Sequence, residues 1–156
     1  MRFGGGWLVI YQHHNHKENF NRSWIEYRNG FGSLDDEFWM GLERQHQLTS
    51  LGPYEMLLEV EDFDGNYFYG RYKRFEIGSE TEDYMLKKIE YNNGTVEDSV
   101  NMQEGLKFLT YDRDTDGQKN FAAQYGEAWW WLISDSYEEQ RVQVVFSRMM
   151  IREIIE

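Results

Sequence analysis

Apolar and polar positions change period along this chain, and the changes divide it into elements. "WLVIY", residues 7 to 11, is short, apolar and β-branched, which predicts a buried strand. The polar run "HHNHKEN" then turns the chain. In "FNRSWIEYRNGFG", Phe20, Trp24 and Tyr27 recur at helical spacing, and glycines end the helix. "SLDDEFWMGLERQHQLTS", residues 33 to 50, predicts a second helix, with Ser33 and Asp36 in a cap-like arrangement and Phe38, Leu42 and Gln45 on one face. From Tyr54 the period becomes two. "YEMLLEVEDF" and "YFYGRYKRFEI" flank "DGN", whose residues tolerate positive φ, so a hairpin is expected. "YMLKKIEY" reads as a further strand ended by the turn "NNG", and "VQVVFSRMMIRE" as the last strand. Residues 95 to 128 lack a period and read as packed loops, where sites tend to lie. These elements add up to an α+β fold: an antiparallel β-sheet, two short helices near the N-terminus and a loop-rich late lobe.

Length and composition fit this picture. The 156 residues suit one domain, residues 1 to 156, and 17% aromatic residues supply large rings that close a compact core. A formal charge of -12 argues against binding nucleic-acid phosphates or anionic lipid and is compatible with bound cations. The chain has no cysteine, which excludes a thiol nucleophile and thiolate metal sites. No apolar run approaches the roughly 18 residues of a membrane span. The start, "MRFGGGWLVI", lacks the shape of a signal peptide, so within a secreted protein this sequence would be a mature or trimmed piece.

Several stretches carry candidate chemistry. "YDRDTDGQKNF" places Asp112, Asp114 and Asp116 on alternate positions ahead of Gly117. This matches the front half of an EF-hand calcium loop, but position twelve is Ala123 where a bidentate Glu is needed. A calcium loop of another type and a solvated acidic turn both remain open. "HHNH" could offer His13, His14 and His16 to a transition metal, although adjacent histidines in a turn are more often plain surface residues. Glu59 and Glu61 share a strand face, as a glycosidase pair would, but such coincidences are common in an acidic chain. No nucleophile elbow, phosphate loop or zinc-protease motif is present, and the chain reads as no enzyme. Asn21 and Asn93 begin N-glycosylation sequons, and "AWWW", residues 128 to 131, is either a core plug or a binding platform.

Taken in order, "GGGWLVI", "NFNRSWIEYRNGFG", "DDEFWMGLERQHQLTS", "YEMLLEVEDFDGN", "GLKFLTYDRDTD" and "AWWW" resemble the fibrinogen C-terminal globular domain, with insect fibrinogen-related proteins nearest in pattern. The resemblance runs from residue 4 to 131, and "FSRMMIR" is similar to that domain's last strand. It implies a calcium ion held by the side chains of Asp114 and Asp116 and the backbone carbonyl of Gln118, with Asp112 structural. It implies a secreted, extracellular, lectin-like recognition module of innate immunity. The implied partners are glycans or proteins of microbial or parasite surfaces, and the implied assembly is a homo-oligomer. The alternative is a structural or signalling ligand acting by protein–protein contact. The ligand pocket of ficolin-like members corresponds to the region of Trp130 and Asp135. The sequence departs from the family there. The flanking cysteines are replaced by Phe121 and Ser134, Asp135 stands where a histidine is usual, and "SDSYEEQRVQVVF" is much shorter than the segment that builds the pocket. The disulfide-containing piece that precedes "GGGW" in the family is also missing.

Overall fold

The structure is a computed structural model that describes residues 5–14, 17–95, 102–113, 120–131 and 144–155. Among these, seven strands form one antiparallel sheet in the order β2-β3-β1-β7-β4-β5-β6. The strands are β1 (Leu8–His13), β2 (Phe31–Gly32), β3 (Phe38–Trp39), β4 (Tyr54–Asp62), β5 (Tyr67–Ile77), β6 (Leu86–Gly94) and β7 (Val144–Glu153). The helices are α1 (Trp24–Asn29), α2 (Leu42–Ser50) and α3 (Phe121–Tyr125). The C-terminal β7 lies between β1 and β4. Its run Met149, Met150 and Ile151 is buried on both faces, as a central strand requires.

The hairpin expected around "DGN" is present. Asp62 closes it, its Oδ1 accepting the backbone N–H groups of Asp64 and Asn66. The period-two alternation of β4 then separates two faces. Met56 and Leu58 point into the main core, while Glu55, Leu57 and Glu59 face outward. Outward is not bare. Glu55 is clamped by Arg71 at 2.8 Å and Arg152 at 3.1 Å, and the Trp7 ring covers the Arg152 guanidinium at 4.3 Å. Glu59 accepts from Arg148 and from the Tyr67 hydroxyl. These partners flank Leu57 and Met150, which are buried on the outer face. Glu59 and Glu61 share a face, and Glu59 is engaged as an ion-pair acceptor.

Rings fill the inner layer. Trp39, Tyr27, Phe108 and Trp130 interlock, with centroids 5.6 Å apart for Trp39–Phe108 and 4.9 Å for Phe108–Trp130. Both indoles find acceptors, Trp39 Nε1 on the Tyr27 carbonyl and Trp130 Nε1 on the Tyr84 carbonyl. A smaller cluster of Leu109, Phe121, Ala122 and Trp131 lies beside it.

Four expectations are corrected. The second helix does not begin at Ser33. Ser33 to Glu37 forms a turn, Phe38 and Trp39 pair with β1 instead, and α2 starts only after Gly41. Helix propensity loses there because Trp39 and Phe38 are both buried by strand pairing. Gly41 (φ +110) fixes the restart, since a Cβ would lie 2.9 Å from the Asn29 carbonyl carbon. The first helix begins at Trp24, not Phe20, because Ser23 and Glu26 form a full capping box that the helical spacing hid. "NNG" is not a turn: Asn92, Asn93 and Gly94 continue β6, with Arg71 opposite Asn93. Phe121 to Tyr125 is helical rather than loop, capped by Asn120. Within the last expected strand, residues 142 and 143 lie outside the described residues.

Candidate recognition cleft and acidic loop

Two elements that are remote in sequence meet at the end of β1. Residues 17 to 21 and residues 125 to 127 form the walls of a cleft of about 440 Å3, with His13 at its base. Its position depends on Glu37, a buried carboxylate in the turn before β3. Glu37 accepts the backbone N–H groups of His14 at 2.9 Å, Lys17 at 2.8 Å and Glu18 at 3.0 Å. One side chain therefore ties down both ends of the 14–17 segment. Burial pushes the Glu37 carboxyl up, but the donors of His14, Glu18 and Lys17 together with His13 outweigh it, and its pKa lies below the ordinary carboxylate value.

His13 stacks on Phe20 with centroids 4.1 Å apart. Its Nδ1 lies 3.5 Å from Glu127 Oε1 and its Nε2 lies 3.7 Å from Glu37 Oε1. Glu127 Oε1 also accepts the Tyr11 hydroxyl at 2.9 Å, and that hydroxyl meets Ser147 Oγ at 2.8 Å. Burial, then the neighbouring Glu127 charge, holds the Tyr11 phenol well above its usual value, so it stays a donor. The lining also includes Lys17, Glu18, Asn19, Asn21, Tyr125 and Glu127. Such a mix of planar amides, charges and one ring face suits a hydroxyl-rich ligand. No sequence period marks this cleft. The only signal available was the polar density of "HHNHKEN" opposite a charged residue next to "AWWW".

The acidic loop is described at its stem. Asp112 Oδ1 accepts the N–H of Trp24 at 3.1 Å and the hydroxyl of Thr110 at 2.6 Å, a structural role. Asn120 Nδ2 donates to the carbonyls of Thr110 at 3.2 Å and Arg113 at 3.1 Å, joining the two ends of the loop. The Arg113 guanidinium lies 3.4 Å from the Trp24 ring centroid. Asp114, Asp116 and Gln118 lie outside the described residues, as do His16, Ser134 and Asp135. Among the described residues, no group of three or more His, Asp or Glu side chains could hold a metal ion. His13 goes to Glu127 and Glu37, whereas His14 pairs with Asp36 at 2.6 Å. Trp130, expected at a ligand pocket, is 1% exposed and locked in the ring core, so its ring offers no surface to a ligand. Asn21 is exposed on the cleft rim, and Asn93 is exposed on β6.

A family model for the C-terminal globular domain of fibrinogen beta and gamma chains matches residues 2–140. The chain belongs to the fibrinogen C-terminal globular domain family. Human ficolin-3 is 40% identical over 131 residues, covering 84% of this chain and 44% of ficolin-3. Fibrinogen C domain-containing protein 1 of Macaca fascicularis is 42% identical over 134 residues, covering 82% of this chain and 31% of that protein. The chain thus spans less than half the length of these relatives. The solved fibrinogen-like globe domain of human ANGPTL2 superposes with a TM-score of 0.83 at 30% identity, covering 97% of this chain and 82% of that one. Phe121 is a fully buried ring 5.8 Å from Tyr125 and 6.2 Å from Trp131. Apolar packing stands at this position of the cysteine-free fibrinogen domain.

Proposed function

We propose that this chain is a non-enzymatic, secreted recognition module of the lectin type, which contacts glycans or proteins on microbial or parasite surfaces. The cleft between residues 17–21 and 125–127 carries the reading, because it gathers polar groups and a ring around open volume outside the core. Membership of the fibrinogen-domain family, with ficolin-3 among its relatives, supports the same class. The reading includes a calcium ion at the acidic loop, held by the side chains of Asp114 and Asp116 and the backbone carbonyl of Gln118. Calcium accepts irregular oxygen cages and would offset the repulsion of closely spaced carboxylates. Asp112 stays outside that set, since Trp24 and Thr110 engage it.

A glycan array read in millimolar calcium and in chelator tests the proposal, with Glu127→Ala beside the wild type. The expected result is a restricted set of retained glycans that the substitution loses. An array without retained glycans in both conditions, from folded protein, overturns the lectin reading and favours protein–protein contact.

A further inference from the structure

We propose that Asn93 carries an N-linked oligosaccharide whose first sugars lie across Tyr69 and Tyr67 on the outer face of the sheet. This rests on the extracellular reading above, because the modification needs passage through a secretory compartment.

The argument starts from strand register. Asn93 lies opposite Arg71, and paired residues share a face. Arg71 points outward to Glu55, so Asn93 points outward too. Along β5, Tyr69 and Tyr67 alternate onto that same side, opposite Glu59 and Glu61. Their rings are stacked, 6.4 Å apart and inclined by 27°, and Tyr67 is 36% exposed. The third residue of the sequon lands beside them. Thr95 Oγ1 accepts the Tyr69 N–H at 3.0 Å, and the Thr95 N–H donates to the Tyr69 carbonyl at 2.7 Å. Asparagine and threonine therefore bracket a tyrosine shelf. The apolar C–H face of a sugar packs on the electron-rich face of an aromatic ring.

Gly94 makes this arrangement specific. At φ +144, a Cβ would lie 2.3 Å from the Tyr69 carbonyl oxygen, so the middle residue must be glycine for β6 to close on β5 here. Among the described residues β6 is the last strand of the sheet, so an attached oligosaccharide interrupts no strand pairing. The other sequon differs. Asn21 lines the cleft and, among the described residues, has no tyrosine pair beside it. A glycan on Asn93 lies across the sheet from the cleft, because the base residue His13 pairs with Ser147 on the inner face.

In the reaction, the Asn93 side-chain nitrogen attacks the anomeric carbon of a lipid-linked oligosaccharide. A C–N bond forms, the bond to the polyprenyl diphosphate breaks, and one amide proton is lost to solvent.

The test expresses the chain behind a heterologous signal peptide in translation extracts with endoplasmic-reticulum microsomes, and in secreting insect cells. Import is then enforced, so the result does not depend on the natural destination. Expected are a mobility shift reversed by peptide N-glycosidase, conversion of Asn93 to Asp in the peptide map, and loss of that conversion in Asn93→Gln but not Asn21→Gln. Protease-protected chains with Asn93 unmodified overturn the proposal. For the shelf, enzymatic removal of the glycan should lower Tm in the wild type and in Tyr69→Phe but not in Tyr69→Ala. An equal drop in all three overturns the stacking.

Discussion

The Asp112 carboxylate accepts the backbone N–H of Trp24 at 3.1 Å across 88 residues of sequence. Trp24 is the first residue of α1, so the acidic run begins with a residue that serves the N-terminus of a distant helix. Asp112→Ala should therefore cost about 1 kcal/mol, the usual scale for a lost helix-end acceptor. Urea unfolding in chelator measures it. Equal stability of mutant and wild type would remove the structural role.

Calcium should act on the neighbouring carboxylates and not on this one. A ligand that binds only the folded state stabilises it by about 2.7 kcal/mol at a hundredfold excess over Kd. For a domain of this size that is roughly 5–10 °C in Tm. Calorimetry in calcium and in chelator should show this gain, with magnesium giving less because it demands a regular octahedral cage. Asp114→Ala and Asp116→Ala should abolish the gain, while Asp112→Ala should keep it. A Tm unchanged by calcium in the wild type would leave the run as a solvated acidic turn.

The sheet was legible because β4, β5 and β7 carry their faces as alternation and as a continuous apolar run. Met56, Leu58, Met149 and Ile151, which fill the main core, all lie in stretches that read as strands. The region around Phe38 was not legible, since a two-residue strand has no period and its helical neighbours impose theirs. Asp112 could be separated from its neighbours through the family resemblance, yet its partner Trp24 could not be read, because capping at a distance of 88 residues leaves no local pattern. The cleft was illegible for the same reason. It is built by Glu37 gathering backbone donors of residues 14, 17 and 18, and a buried acceptor of this kind looks in sequence like any other acidic residue.

Glu37 thus gives the cleft an acid sensitivity. Its carboxylate form is the one that the three N–H groups and His13 favour, and its folded pKa is depressed below the ordinary 4.5. A depressed carboxyl contributes stability that is fully present above the unfolded value and is lost as pH falls through the folded value. So Glu37 should support the fold fully above about pH 4.5, its ordinary value, and progressively less below it. Glu37→Ala removes the acceptor of three part-buried N–H bonds and should cost about 3 kcal/mol at pH 7. Glu37→Gln keeps one acceptor oxygen and should cost roughly half of that. The gap between wild type and Glu37→Gln should narrow between pH 5 and pH 3, because protonation makes the wild-type side chain a neutral acceptor as well. Glu26, Asp62, Glu80 and Glu82 are depressed too, but they are common to both proteins and cancel in the difference. Urea midpoints of the pair across that range decide the matter, and a gap that stays constant with pH would mean that the ionised carboxylate is not what holds residues 14, 17 and 18 in place.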